Sequence, residues 1–136
     1  MLFRSIMAVL RHGGDVLLEK RPASGVWGGL WSLPELAAGA DLPSAVTQRF
    51  GCDVRRIERL APMRHTFTHF TLEIQPYVVD VAGPPPRAGE PGSVWLPLET
   101  AATAALPAPV KRLLARLAES TFGDQAPLLQ EAVQDL

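Results

Sequence analysis

Apolar and polar positions alternate loosely from Phe3 to Leu10 and again from Val16 to Arg21, with His12-Gly13-Gly14-Asp15 between them. Period-two alternation around a Gly-Gly step, which tolerates positive φ, predicts two strands joined by a tight hairpin turn. Pro22 to Pro34 is punctuated by Pro and Gly and predicts a loop. Asp41 stands at an N-cap position with Pro43 in the first turn, and Gly51 ends the helix so bracketed, Leu42 to Phe50. Val54 to Leu60 predicts a strand. His69 to Val81 is the clearest strand, with Phe70, Leu72 and Ile74 on one face and His69, Thr71, Glu73 and Gln75 on the other. Pro76 inside it marks an edge or a bulge.

The stretch Ala82 to Gly92 (AGPPPRAGEPG) is a loop by composition. Val94-Trp95-Leu96 predicts a short strand and Pro97 to Ala105 a short helix. Pro107 to Ser120 predicts another helix, with Val110, Leu113, Leu114 and Leu117 at helical spacing as its core stripe. Residues 1–120 read as one domain. Residues 121–136 read as a tail, either helical from Leu128 to Leu136 or disordered. Strands interleaved with helices predict the α+β class, a mixed β-sheet flanked by helices.

Composition narrows the function classes. The chain has 136 residues, 47% hydrophobic and 20% charged, enough for a globular domain with a real core. No apolar run approaches the roughly 18–20 residues of a membrane span, and Met1 to Leu10 does not read as a signal peptide. The single cysteine, Cys52, precludes an internal disulfide and fits a reducing, cytoplasmic setting. A net charge of −1 provides no global field to concentrate nucleic acid, so any DNA contact must be local and weak on its own.

Leu17 to Glu35 reads LLEKRPASGVWGGLWSLPE, the most informative stretch of the chain. Gly29, five residues and then Glu35 resemble the opening of the Nudix box. That resemblance implies a helix whose glutamates hold Mg²⁺, since hard cations want several carboxylate oxygens on successive turns. Here the box is degenerate. Aligning its final Gly on Gly51 puts Ser44 and Ala45 at the Arg-Glu positions and Gln48 and Arg49 at the metal-binding Glu-Glu positions. The ungapped register supplies Pro43, Ser44, Thr47 and Gln48 instead. Asp41 is the one carboxylate between Leu36 and Cys52. No metal ligand and no catalytic residue is therefore assigned.

Leu-Leu-x-x-Arg-Pro followed by Gly-x-Trp-Gly-Gly-Leu-Trp-x-x-Pro-Glu closely resembles the C-terminal, Nudix-like domain of bacterial adenine DNA glycosylases. His65-Thr66-Phe67-Thr68-His69-Phe70 is similar to that family's His-x-Phe-Ser-His stretch, with Thr68 in place of Ser. Trp95-Leu96-Pro97 and Ala105-Leu106-Pro107 resemble its closing segment, and the likeness runs from about Phe3 to Leu117. It implies a Nudix-like fold and a module that recognises 8-oxoguanine opposite adenine in duplex DNA. The adenine-excising N-terminal glycosylase domain of the same protein, with its iron–sulfur cluster, would lie upstream; one cysteine cannot ligate such a cluster, and no cofactor is expected in this chain. The resemblance makes Phe67, Thr68 and His69 the lesion-recognition residues: Thr68 as the reader, Phe67 as a wedge or a buried anchor, His69 as polar support. The alternative from another class is a free-standing Nudix hydrolase of oxidised nucleoside diphosphate compounds.

Other residues read more blandly. Trp27 and Trp31 plug the loop onto the sheet rather than stack on a base. Gly28 and Gly29 serve the backbone path rather than a phosphate. His65 and His69 share a face only in a helix, which Thr66-Phe67-Thr68 does not favour, so they are not a zinc pair. Arg55, Arg56, Arg59 and Arg64 form a local basic run, either a solvated strand face or, given the resemblance, contacts to DNA phosphates.

Overall fold

The computed structural model describes residues 1–83 and 91–119. The predicted tail lies outside the described residues, as does most of the Ala82 to Gly92 loop. β1 (Leu2–His12) and β2 (Asp15–Lys20) form the expected hairpin, with Arg11 opposite Val16 and His12 opposite Asp15. β3 (Trp31–Ser32) and β4 (Glu35–Ala37) follow, then α1 (Leu42–Phe50). Next come β5 (Val54–Arg59), β6 (Met63–Thr66), β7 (Thr71–Val81) and β8 (Ser93–Pro97). α2 (Leu98–Ala101) and α3, helical over 108–119, complete the described chain. The class is α+β, as the alternation of patterns predicts.

One mixed sheet organises everything. Its path runs β3-β2-β1-β7-β5, with β4 also paired to β1, β6 to β7 and β8 to β2. β1 and β7 run parallel, from Leu2 opposite Thr71 to Arg11 opposite Asp80. Met7, Ala8, Val9, Leu10, Val16, Leu17 and Leu18 are buried without alternation, because both faces are covered, which turns a strand's pattern into a continuous apolar run. On one face Ala8, Leu10, Leu17 and Val79 pack against Leu42, Val46 and Phe50 of α1. On the other, Met7, Val9, Val16, Ile74 and Val78 pack against Leu98, Ala101, Val110, Leu113 and Leu114 of α2 and α3. The predicted stripe of α3 is thus the core face, with Leu117 at its margin.

α1 has the predicted bounds. Pro43 is in its first turn, and Gly51 ends it in the left-handed region at φ 68°, donating its backbone N–H to the Thr47 carbonyl at 2.9 Å. Asp41 occupies the N-cap, but its side chain makes no capping bond.

Several expectations need correction. The Pro22 to Pro34 loop contains β3, because Trp31 and Ser32 find partners in Lys20 and Glu19. The helix predicted over Pro97 to Ala105 stops at Ala101; beyond it the Ala105 carbonyl is turned to accept from Trp31 N–H at 2.9 Å. β6 was not expected, and β7 begins at Thr71 rather than His69. Pro76 sits in a central strand, not at an edge. It is tolerated because it faces the break between β5 and β6, where the Leu60 N–H donates to its carbonyl at 3.0 Å and no ladder donor is missed. The Gln75 side chain closes that break, donating to the Leu60 carbonyl at 2.7 Å.

Candidate functional site

β6 and β7 are joined by the bend Phe67-Thr68-His69-Phe70, closed by a 2.7 Å bond from the Phe67 N–H to the Phe70 carbonyl. Thr68 and His69 are exposed at the tip. Neither side chain has a hydrogen-bond partner among the described residues, so the Thr68 hydroxyl is uncommitted. Phe67 is half-buried instead. Its ring stacks on Phe70 with centroids 4.5 Å apart and planes at 24°, and meets His65 at 4.7 Å and Trp27 at 5.4 Å. Phe70 in turn meets Phe3 edge-on at 5.4 Å. In this arrangement Phe67 is an anchor, not a projecting wedge. Aromatic pairs of this kind contribute about 0.5–1.5 kcal/mol each beyond burial, so the exposed tip stands on a stiff base. His65 faces that aromatic cluster while His69 lies in the bend.

The tip is braced by the Pro22 to Leu30 loop. Trp27 has φ 57°, the one non-glycine residue in the left-handed region among those described. That conformation is costly for a side chain with a Cβ. It is held because its ring reaches His65 and Phe67, and because Gly28 brings the chain against Ala23 so closely that an added Cβ would collide with the Ala23 carbonyl. The expected plug role holds for both tryptophans: Trp27 and Trp31 pack against the larger core cluster, Trp31 beneath the Lys20 ammonium. Sequence reasoning did not find the bridge from Trp27 to Phe67. The residues are forty positions apart and nothing local signals it.

Beside this loop lies the degenerate box. Arg49, which the register ending on Gly51 puts at a metal-binding position of the box, donates to both Glu19 carboxylate oxygens at 2.7 and 2.8 Å and to the Glu35 carbonyl at 3.1 Å. The Glu35 carboxylate pairs with Arg21 at 3.0 Å. Each of the two nearby carboxylates is thus already neutralised by a guanidinium. Among the described residues no three His, Cys, Asp or Glu side chains gather as a metal site. In the register that ends on Gly51 the residues do not fit Mg²⁺: Arg49 is a cation and Gln48 beside it offers only a neutral amide. A cleft of about 370 Å³ opens nearby, lined by Phe3, Arg21, Val26, Glu35, Phe70 and Leu72.

The basic run does not form one patch. Strand pairing puts Arg59 opposite Tyr77 and Arg64 opposite Glu73, on the face that carries α1. Arg56 is opposite Asp80, on the other face, and Arg55 lies where the β5 register shifts. All four are exposed. The linear run concealed this because alternation along a strand sends neighbours to opposite sides.

Comparison with known proteins agrees with this fold. Residues 6–116 match the NUDIX domain. The chain is 24% identical over 109 residues to the adenine DNA glycosylase of Buchnera aphidicola and 31% identical over 113 residues to that of Homo sapiens. These alignments cover 80% and 74% of this chain, but only 31% and 20% of those proteins. Its fold superposes on the C-terminal domain of mouse MUTYH, solved in complex with human PCNA. The TM-score is 0.67 at 25% identity, covering 88% of this chain and 89% of that one.

Proposed function

This chain belongs to the NUDIX domain family, and from that premise we propose that it is a DNA-repair recognition module, the domain of an adenine DNA glycosylase that reads 8-oxoguanine opposite the adenine to be excised. The observation that carries this reading is the uncommitted Thr68 hydroxyl, exposed on a hairpin tip whose base is stacked aromatic rings. The likeness to adenine DNA glycosylases supports it.

The chemistry follows from the lesion. In guanine N7 is an acceptor. Oxidation makes it an N–H donor and adds an acceptor oxygen at C8. A hydroxyl matches both, because its oxygen accepts from N7–H while its hydrogen points at O8. The Thr68 backbone N–H is a second donor for O8. Undamaged guanine would leave this pair mismatched, and a site with unpaired polar groups rejects its ligand. A well-paired contact discriminates by roughly 1–3 kcal/mol, about tenfold to a hundredfold. His69 supplies polar support at the same tip. The N-terminal domain of the same protein would flip and excise the adenine, and any iron–sulfur cluster would belong to that domain.

Hydrolysis of oxidised nucleoside diphosphates is disfavoured by Arg49 and Gln48 on α1. In full-length enzyme, Thr68→Ser should keep the preference for adenine opposite 8-oxoguanine over adenine opposite guanine. The triple variant Phe67→Ala, Thr68→Ala, His69→Ala should shrink it. Full preference in the triple variant would show that the lesion is read elsewhere. Mg²⁺-dependent turnover of 8-oxo-dGTP by the isolated chain at about 1 s⁻¹ or faster would restore the hydrolase reading.

A further inference from the structure

Arg4, Glu73 and Arg64 stand side by side on three adjacent strands, β1, β7 and β6, on one face of the sheet. Glu73 divides its carboxylate between them: Oε1 lies 3.7 Å from Arg4 and Oε2 3.0 Å from Arg64. Two guanidiniums share one carboxylate, so the row keeps one net positive charge. The two arginine side chains are 67% and 64% exposed. Each guanidinium has five N–H donors, and one shared carboxylate occupies few of them.

The neighbouring rows on the same face extend the pattern. Toward the hairpin tip, the Thr66 and Thr71 hydroxyls meet at 3.3 Å. Away from it, two rows beyond Glu73 and past Gln75, Arg59 stands opposite Tyr77. Adjacent same-face rows are about 7 Å apart along a strand. α1's cluster covers this face from the next row onward, over Ile6, Ala8 and Leu10, with Tyr77 packed against it. On the opposite face Arg56 meets Asp80, which Arg11 already engages at 2.7 Å.

We propose that the uncovered end of this face, towards the hairpin tip, is a phosphate-binding stripe. Arg4 and Arg64 would grip one backbone phosphate between them, Thr66 and Thr71 would donate to the phosphate nearer the tip, and the exposed Arg59, two rows away, would reach a phosphate farther along the strand. Guanidinium forks and hydroxyl donors suit phosphate oxygens, and the stripe leads to the tip that carries Thr68. The choice of a nucleic-acid strand over another polyanion rests on the reading of that tip given above. Glu73 has a defined part: it holds the two forks parallel and lowers their affinity, so that the stripe binds weakly on its own.

The test measures binding of the whole 136-residue chain to an undamaged, fluorescein-labelled DNA duplex by anisotropy over a range of KCl. Each phosphate contact contributes about 0.9 to the slope of log affinity against log salt. The Arg4→Ala/Arg64→Ala variant should therefore lose about 0.9 to 1.8 of slope. Glu73→Gln should bind several-fold more tightly at low salt, and Arg56→Ala should keep the wild-type slope. Circular dichroism verifies that each variant is folded. A double variant with the wild-type slope overturns the stripe, as does an Arg56→Ala variant that loses as much. Equal displacement by polyglutamate at matched charge overturns the assignment to nucleic acid. Because the duplex carries no lesion, the result is independent of whether Thr68 reads 8-oxoguanine.

Discussion

Arg49 holds Glu19 by a two-point clamp, one guanidinium nitrogen lying 2.7 and 2.8 Å from the two carboxylate oxygens. The bond ties the last turn of α1 to β2, and a third contact to the Glu35 carbonyl ties it to β4. A Nudix box with its glutamates would draw these elements together around a divalent ion. Here the Arg49 guanidinium itself draws the same elements together.

The melting temperature of the wild-type chain should therefore be indifferent to millimolar Mg²⁺. Arg49→Ala should cost about 0.5–1 kcal/mol, the range for a partly exposed pair screened by solvent. The combined variant Gln48→Glu, Arg49→Glu should be less stable in EDTA, where new carboxylates crowd Glu19, and should regain stability as Mg²⁺ is added. Thermal melts with and without Mg²⁺ check all three. Wild-type stabilisation by Mg²⁺ would contradict the substitution of guanidinium for metal.

The hairpin tip should separate stability from recognition. Phe67→Ala removes the centre of the aromatic cluster and should cost about 1–3 kcal/mol. That is less than the 3–5 of a fully buried Phe, because Phe67 is half-buried. Thr68→Ala removes an exposed hydroxyl with no partner among the described residues and should stay within about 0.5 kcal/mol of wild type. Urea unfolding of the two variants measures the difference. Comparable losses would mean that Thr68 has a structural role.

Trp27 gives a test with an unusual order. Trp27→Gly loses the ring but relieves the left-handed backbone, whereas Trp27→Ala loses the ring and keeps the strain. The alanine variant should be the less stable of the two by about 1 kcal/mol. The opposite order in chemical denaturation would show that φ 57° is not retained in solution.

Burial pushes the Cys52 thiol above its usual range, with Asp53 adding to the shift. A raised pKa means the folded state holds the proton more tightly than the unfolded state. The thiol's contribution is fully present below the unfolded pKa and is lost as pH rises through the folded one. Stability should fall with pH in that alkaline window, and Cys52→Ser should flatten the fall. At pH 8 the folded chain should react slowly with a thiol reagent and quickly once unfolded. Rapid labelling of the folded chain would contradict its burial.

The sequence by itself determined the hairpin of β1 and β2, the bounds of α1, the core stripe of α3 and the lack of any glutamate from Leu36 to Cys52. These are local matters. Gly51 ends a helix by its own freedom, a 3.6-residue period marks a face, and a residue type at a motif position can be read directly. Only the tertiary structure decided what lay across the sheet. It paired Arg49 with Glu19, set Trp27 beneath Phe67, joined Arg4 to Arg64 through Glu73, and made Pro76 central by opposing it to a break between strands. It also split Arg56 from Arg59 and Arg64, because strand register decides which side chains share a face. Each of these depends on distant segments meeting, and no pattern within one segment encodes its partner.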